Sequence, residues 1–220
     1  MPVAPDAAVL RVATLLVTLP VFVQAPLVHA HPWLALLFTG PLLVLGIVLG
    51  LSEHRQSAQL GALLVGFAGS WLCGSLFWGW CRLHPLWHLP IEALALPLAL
   101  GGLRSRWQLA GAFYLASLLG TAATDGAMAL TGVMGLWPAV LAAEPTAAVA
   151  LLQEAATRVL NPGNLAVVVA VAVGLIGLAQ RFWQGSLPSR LAATTLITTL
   201  GVDGLFLALA LNAPRWSGLI

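Results

Sequence analysis

The sequence predicts an all-α fold, a polytopic transmembrane helical bundle of about seven spans, or six if the fourth segment is re-entrant. Composition is the first reason. Of 220 residues, 60% are hydrophobic and 7% charged, and the mean hydropathy is +0.97. Soluble domains carry roughly a quarter charged residues. Nine arginines and seven acidic residues, with no lysine, are too few to cover a water-facing globule of this length. The second reason is run length. A bilayer core of ~30 Å needs ~20 apolar residues at ~1.5 Å of rise each, and runs of that size recur along the chain. The third is that backbone polar groups cannot be left bare in lipid, so such runs become helices. A soluble enzyme, a disordered chain and a nucleic-acid binder are excluded; the net charge of +2 comes from scattered arginines, not from a basic patch.

The seven runs are Ala8–His29, Trp33–Leu51, Gln59–Trp80, Leu89–Leu103, Trp107–Thr131, Leu165–Trp183 and Arg190–Leu211. Residues 1–220 read as a single integral membrane domain. In the first run, Val28-His29-Ala30 offers a small-residue cleavage pattern. Asp6, the single Arg11, and Pro20 and Gln24 inside the run argue for a retained span instead. Gly46 and Gly50 in the second run form a small-residue packing motif. The fourth run is short and contains Pro90 and Pro97, so it is either a span bent at Pro97 or a re-entrant segment.

With seven spans, Arg11, Arg55, Arg104, Arg106, Arg181 and Arg190 share the N-terminal side, and Arg82, Arg158 and Arg215 the other. The positive-inside rule then places the N-terminus in the cytoplasm and the C-terminus on the outer or lumenal side. Tryptophans fall near both interfaces, Trp33, Trp78, Trp80, Trp87, Trp137 and Trp216 on the outer side and Trp107 and Trp183 on the inner, as an anchoring belt requires.

The longest connection, residues 132–164, lies on the outer side. Within it Thr146–Leu160 reads as an amphipathic helix capped by Thr146. Val149, Leu152, Ala156, Val159 and Leu160 recur at helical spacing, and Glu154 stands four residues before Arg158. Such a helix lies along the membrane surface, where it serves as a partner-docking element or simply as a lid.

Ionisable groups inside spans are costly unless paired or hydrated, so each is a functional candidate. Arg82, His84 and His88 stand at the outer boundary between the third and fourth runs, with Glu92 one turn further in. Helix rise puts Asp125 ~27 Å from Trp107 and Asp203 ~20 Å from Arg190. Gln24 also falls in the outer half. The candidate cluster is therefore Gln24, Arg82, His84, His88, Glu92, Asp125 and Asp203. Its chemistry stays open. His88 and Glu92, four apart, share a helix face. A histidine and carboxylate set suits a metal, although the spacing matches no HExxH site. Alternatively, His84 or His88 could ligate the magnesium of a chlorophyll packed by tryptophans. Two aspartates on parallel spans also suggest intramembrane aspartyl chemistry, but Gly201-Val202-Asp203 departs from the Gly-x-Gly-Asp pattern of those proteases. The plain alternative is an internal network in which Arg82 pairs with Glu92 or Asp125, and Thr194, Thr195, Thr198 and Thr199 satisfy neighbours. A short echo relates Thr124-Asp125-Gly126 to Val202-Asp203-Gly204. Cys73 and Cys81 fit neither a CxxC motif nor a secreted disulfide framework and read as inert thiols.

Trp87-His88-Leu89-Pro90-Ile91-Glu92-Ala93 followed by Leu96-Pro97 carries a family resemblance. So do Pro20 to Val28, Trp78-Gly79-Trp80, Phe113 to Thr121 with Thr124-Asp125, and Val202-Asp203. On these stretches, which cover most of the chain, the protein resembles a cyanobacterial family of multipass membrane proteins defined as domain of unknown function 3120. The resemblance implies a protein of the thylakoid or plasma membrane of oxygenic phototrophs, in contact with the lipid bilayer and with photosystem or other thylakoid membrane subunits. It also makes chlorophyll or carotenoid the cofactors to consider. It supplies no activity. The reading it favours is a non-catalytic accessory or assembly factor for photosynthetic membrane complexes. The alternative is a small-solute or ion/proton-coupled transporter using the outer-leaflet polar cluster. A cavity reaching the carboxylates would favour the transporter, and a dry bundle with paired carboxylates the accessory factor.

Overall fold

Long apolar runs close their own backbone hydrogen bonds as helices. The computed structural model describes residues 5–216, and among these there are helices and no strand. Helix α1 runs Asp6–Ala30 and α2 Pro32–Gly50. Helix α3 spans Arg55–Cys81, α4 His88–Glu92, α5 Leu96–Gly102 and α6 Gln108–Leu130. Helix α7 is Trp137–Ala142, α8 Pro145–Val159, α9 Pro162–Trp183 and α10 Leu187–Asn212.

Five of these, α1, α2, α3, α9 and α10, are long and apolar enough to cross a membrane. A sixth candidate is the pair Gln108–Leu130 and Met134–Ala142, bent by 88°. Large apolar side chains cover the outside: Leu37 is 70% exposed and Leu98 80%. In water such a continuous apolar surface would drive association; against acyl chains it costs nothing.

The fourth apolar run, expected as either a span bent at Pro97 or a re-entrant segment, is not one continuous helix. It divides into α4 and α5, five and seven residues long. Pro97 stands in the first turn of α5, where a missing N–H is harmless and the fixed φ suits a helix start. It therefore begins a new helix and does not kink an existing one. The break frees backbone groups, and Tyr114 on α6 takes them up. Its hydroxyl donates to Glu92 O and accepts from Ala95 N at 3.1 Å. Tyr114 is buried, so Tyr114→Phe leaves both backbone groups without a partner. The expected cost is about 1–3 kcal/mol, read as a lower melting temperature of the detergent-solubilised protein. An unchanged melting temperature would show that other groups hold the break.

Small residues set the spacing between helices. Gly46 and Gly50 of α2 meet Gly61 of α3, so this motif packs within the chain. Gly66 of α3 faces the backbone of Ala110 on α6, Gly111 of α6 faces Ala99 O on α5, and Gly120 of α6 faces Thr199 of α10. The interior between α1, α3, α6 and α10 is filled by Val9, Leu63, Phe67, Trp71, Phe113 and Leu191. Both α1 and α3 pass through a π-helical stretch, at Pro20–Gln24 and Phe77–Cys81. In α1 the cause is Pro20, which lacks an N–H and crowds the carbonyl four residues back.

Polar contacts group at two ends. At one, Asp6 lies 3.7 Å from Arg55 and 4.0 Å from Arg190, and Arg106 donates to Gly50 O at 2.9 Å. At the other, Gly132 turns with φ +69°, and its carbonyl accepts from Arg158 at 3.3 Å. Helix α8 covers this second end. Ala148, Leu152 and Ala156 are buried, packed in part on Val140 and Ala210, while Gln153, Glu154 and Arg158 stay exposed. Glu154 lies 3.1 Å from Arg158. The helix starts one residue earlier than the spacing suggests. Glu144 precedes it, Pro145 fills its first position, and Thr146 is inside it with no capping bond.

Candidate functional site

The polar residues of the bundle converge on one cavity of 650 Å³ near the α8 end. Gln24, His88, Glu92, Asp125 and Asp203 all line it. Its remaining walls are mostly apolar side chains from α1, α3, α6, α8, α9 and α10, including the aromatic Phe67, Trp78, Phe113 and Trp137.

The short α4 places His88 and Glu92 one turn apart on one face. His88 Nδ1 stands 3.0 Å from both carboxylate oxygens of Asp125 on α6. With Nδ1–H donating to Asp125, Nε2 is turned toward Glu92 Oε1, 3.9 Å away. That is ion-pair range and too long for a hydrogen bond. Phe77, in the π-helical end of α3, stacks on the imidazole with ring centroids 4.2 Å apart. Imidazole flanked by two carboxyls, on the segment where the backbone is broken, is an arrangement suited to holding and passing a proton.

Helices α6 and α10 bring in Asp203. Thr124 Oγ1 donates to Asp203 Oδ2 at 2.7 Å and lies 3.1 Å from Gly120 O, the alternative acceptor for the same proton. The two segments that echo each other in sequence thus meet side by side, with Gly120 beside Thr199 and Thr124 beside Asp203. Among the described residues no hydrogen bond joins the two aspartates directly. Gln24, 2% exposed, is turned inward by the π-helical stretch of α1. Its Nε2 donates to Trp71 O at 2.6 Å and to Ser75 Oγ at 2.8 Å.

Arg82 and His84 do not join this group. Arg82 was expected opposite Glu92 or Asp125; instead Nη1 lies 2.7 Å from His29 Nδ1, and its carbonyl accepts from Trp137 Nε1 at 2.7 Å. The π-helical end of α3 and the turn after it carry its side chain back toward α1. His84 is exposed in that same turn. Of the α10 threonines expected to satisfy neighbours, Thr194, Thr198 and Thr199 each donate to the carbonyl four residues back, and the buried Thr195 Oγ1 has no partner among the described residues. No three His, Cys, Asp or Glu side chains converge in metal-holding geometry among the described residues. His84 and His88, the candidate pigment or metal ligands, stand apart, one exposed and the other engaged with Asp125.

A family model described as Protein of unknown function (DUF3120) matches residues 13–211. The chain belongs to the DUF3120 family. No curated protein and no solved structure matches the sequence. The stretch matched to DUF3120 contains every residue of the cavity's polar group, from Gln24 to Asp203. Four contributors were not singled out from the sequence: Phe77, Tyr114, Ser75 and Thr124 as a donor to Asp203. Thr124 left a signal there in the echo between the Asp125 and Asp203 segments, and Tyr114 lies within the Phe113 to Thr121 stretch of the family resemblance.

Proposed function

We propose that this DUF3120 protein is a proton-coupled membrane transporter for a small solute, with its site in the cavity beside the broken fourth segment. The observation that carries the reading is the His88–Asp125 pair, with Glu92 beside it, on the wall of a 650 Å³ cavity. A cavity of this size suits a drug-sized ligand. Titratable side chains at a break in a membrane helix are a recurrent arrangement for coupling solute to protons. An accessory or assembly role in photosynthetic membranes has the family resemblance behind it, but it gives the cavity and its carboxyls no task.

In this reading the broken segment crosses the membrane with the other helices, making seven passes. Supporting it, Glu92 meets Tyr114, Ala99 meets Gly111, and Gly102 lies beside Trp107, so the segment descends antiparallel to α6. The N-terminus faces the cytoplasm, on the side that holds Arg55, Arg106 and Arg190. The cavity then opens toward the outer or lumenal side.

Cysteine accessibility tests the reading. In a variant with Cys73 and Cys81 replaced by Ala, Ser117→Cys on the cavity wall is expected to react with a membrane-impermeant thiol reagent added from the outer side. The same variant at Gly177, where nothing lies within 4 Å of an added Cβ, serves as the lipid-facing comparison. No reaction at residue 117 from either side of the membrane would mean a dry bundle and would remove the transporter reading.

A further inference from the structure

Glu92, Asp125 and Asp203 present three carboxyl groups to the cavity, and His88 presents the single basic group. No arginine lines it, and the chain has no lysine. Arg82, the nearest candidate in sequence, is committed to His29. His88 stands 3.0 Å from Asp125 and 3.9 Å from Glu92, so three carboxyl groups have one imidazole between them and Asp203 has no cationic partner among the described residues. Groups facing Glu92 and Asp203 from the packed elements are His88 on α4, Asp125, Thr124 and Tyr114 on α6, and Cys73 on α3, none of which supplies a further positive charge. In a low-dielectric site the remaining charge must be balanced by protons or by a bound cation.

A metal ion is the poorer occupant, because hard cations need several oxygens converging on one point, and no such group exists among the described residues. An organic cation fits the same walls. Its apolar body would pack on aliphatic side chains and on Phe67, Trp78, Phe113 and Trp137, whose ring faces favour positive charge. Gln24 adds a hydrogen-bond acceptor. Its Nε2 is used by Trp71 and Ser75, while its Oε1 receives no hydrogen bond from the described residues.

We infer that the cavity binds a monovalent lipophilic organic cation, which displaces one proton from the Glu92 and Asp203 carboxyls as it enters. Binding exchanges one positive charge for another: the carboxyl O–H bond breaks, the proton leaves to bulk water, and the carboxylate pairs with the cation. This rests on the proposed coupling and names its solute class.

The test uses the whole protein in detergent micelles, with tetraphenylphosphonium as probe and tetraphenylborate as its anionic counterpart of the same shape. Tetraphenylphosphonium is expected to bind saturably at about pH 8, releasing about one proton, and to weaken by about tenfold per pH unit as proton competition sets in. The double variant Glu92→Gln, Asp203→Asn keeps the size of both side chains, and its melting temperature reports whether it folds. If it folds, it should lose saturable tetraphenylphosphonium binding. If it does not, Asp203→Asn alone should weaken binding at least tenfold and reduce proton release. Saturable binding of tetraphenylborate equal to that of the phosphonium would overturn the inference, as would phosphonium binding unchanged in a folded variant. The two claims fail separately. Phosphonium binding without proton release removes the coupling and leaves the solute class; proton movement driven only by neutral or anionic solutes removes the class and leaves the coupling.

Discussion

Replacing Asp125 by Asn is expected to slow proton-coupled solute movement by about a hundredfold or more, the scale on which a positioned proton-transfer group contributes. The substitution keeps the shape of the side chain and one acceptor for His88 Nδ1–H, now 3.0 Å from both carboxylate oxygens. What it removes is the charge that lets the imidazole hold a second proton beside Glu92. The imidazolium would then keep only Glu92, at 3.9 Å, as a counter-ion in place of the close Asp125 contact. The measurement is lumenal pH, followed by a trapped indicator in vesicles reconstituted with the wild type and the variant. A panel of cationic, neutral and anionic solutes is supplied, so the result does not depend on the solute class. Whichever solute moves protons with the wild type should cease to do so with the variant, and folded yield should stay within about twofold because no atom is added to the packing. If coupled movement persists at the wild-type rate, Asp125 holds His88 in place and takes no part in proton transfer.

The largest effect on stability is expected at Gly61. A Cβ built there would stand 2.6 Å from Gly46 O and 2.5 Å from the backbone carbon of Leu49, and it would also meet Gly50 N. All of these are backbone atoms of α2, which cannot swing aside as a side chain would. Gly61→Leu must push α2 and α3 apart along their closest contact, at an expected cost of about 3 kcal/mol or more. The matched control is Gly177→Leu on α9, where nothing lies within 4 Å of an added Cβ. Thermal unfolding in detergent separates the two: the Gly61 variant should melt well below the wild type, and the Gly177 variant should melt with it. Equal melting temperatures would mean that α2 and α3 do not pack through this glycine register.

Both predictions rest on features the sequence exposed unevenly. Seven apolar runs were legible because run length reports directly on solvent, and all but the fourth correspond to one continuous or bent helix. The fourth misled for a local reason. Pro97 read as a kink in one span or as part of a re-entrant segment; it starts a second helix whose unpaired backbone neighbours are completed by Tyr114 across the bundle. A hydroxyl 19 residues from Ala95 leaves no trace in local pattern. The π-helical stretch at Pro20 was equally silent, although it decides that Gln24 faces Trp71 and Ser75. Helix rise gives depth along each helix and places the polar residues in one layer. Rise does not fix rotation about each helix axis, which is why Arg82, expected to pair with Glu92 or Asp125, lies beside His29.

From the sequence by itself came the solvent of this protein, the positions of its helices along the chain, and the set of polar residues that lipid makes expensive. Each of these follows from local composition and from a rise of ~1.5 Å per residue. Only the tertiary structure decided the partners. His88 and Asp125 are 37 residues apart, Thr124 and Asp203 are 79 apart, and Arg82 and His29 are 53 apart. The physical reason is angular. Successive residues turn by about 100° around a helix, so one slipped π turn or one glycine contact between helices redirects every side chain beyond it. Hydropathy averages over that rotation, while the pairing of a buried charge depends on it.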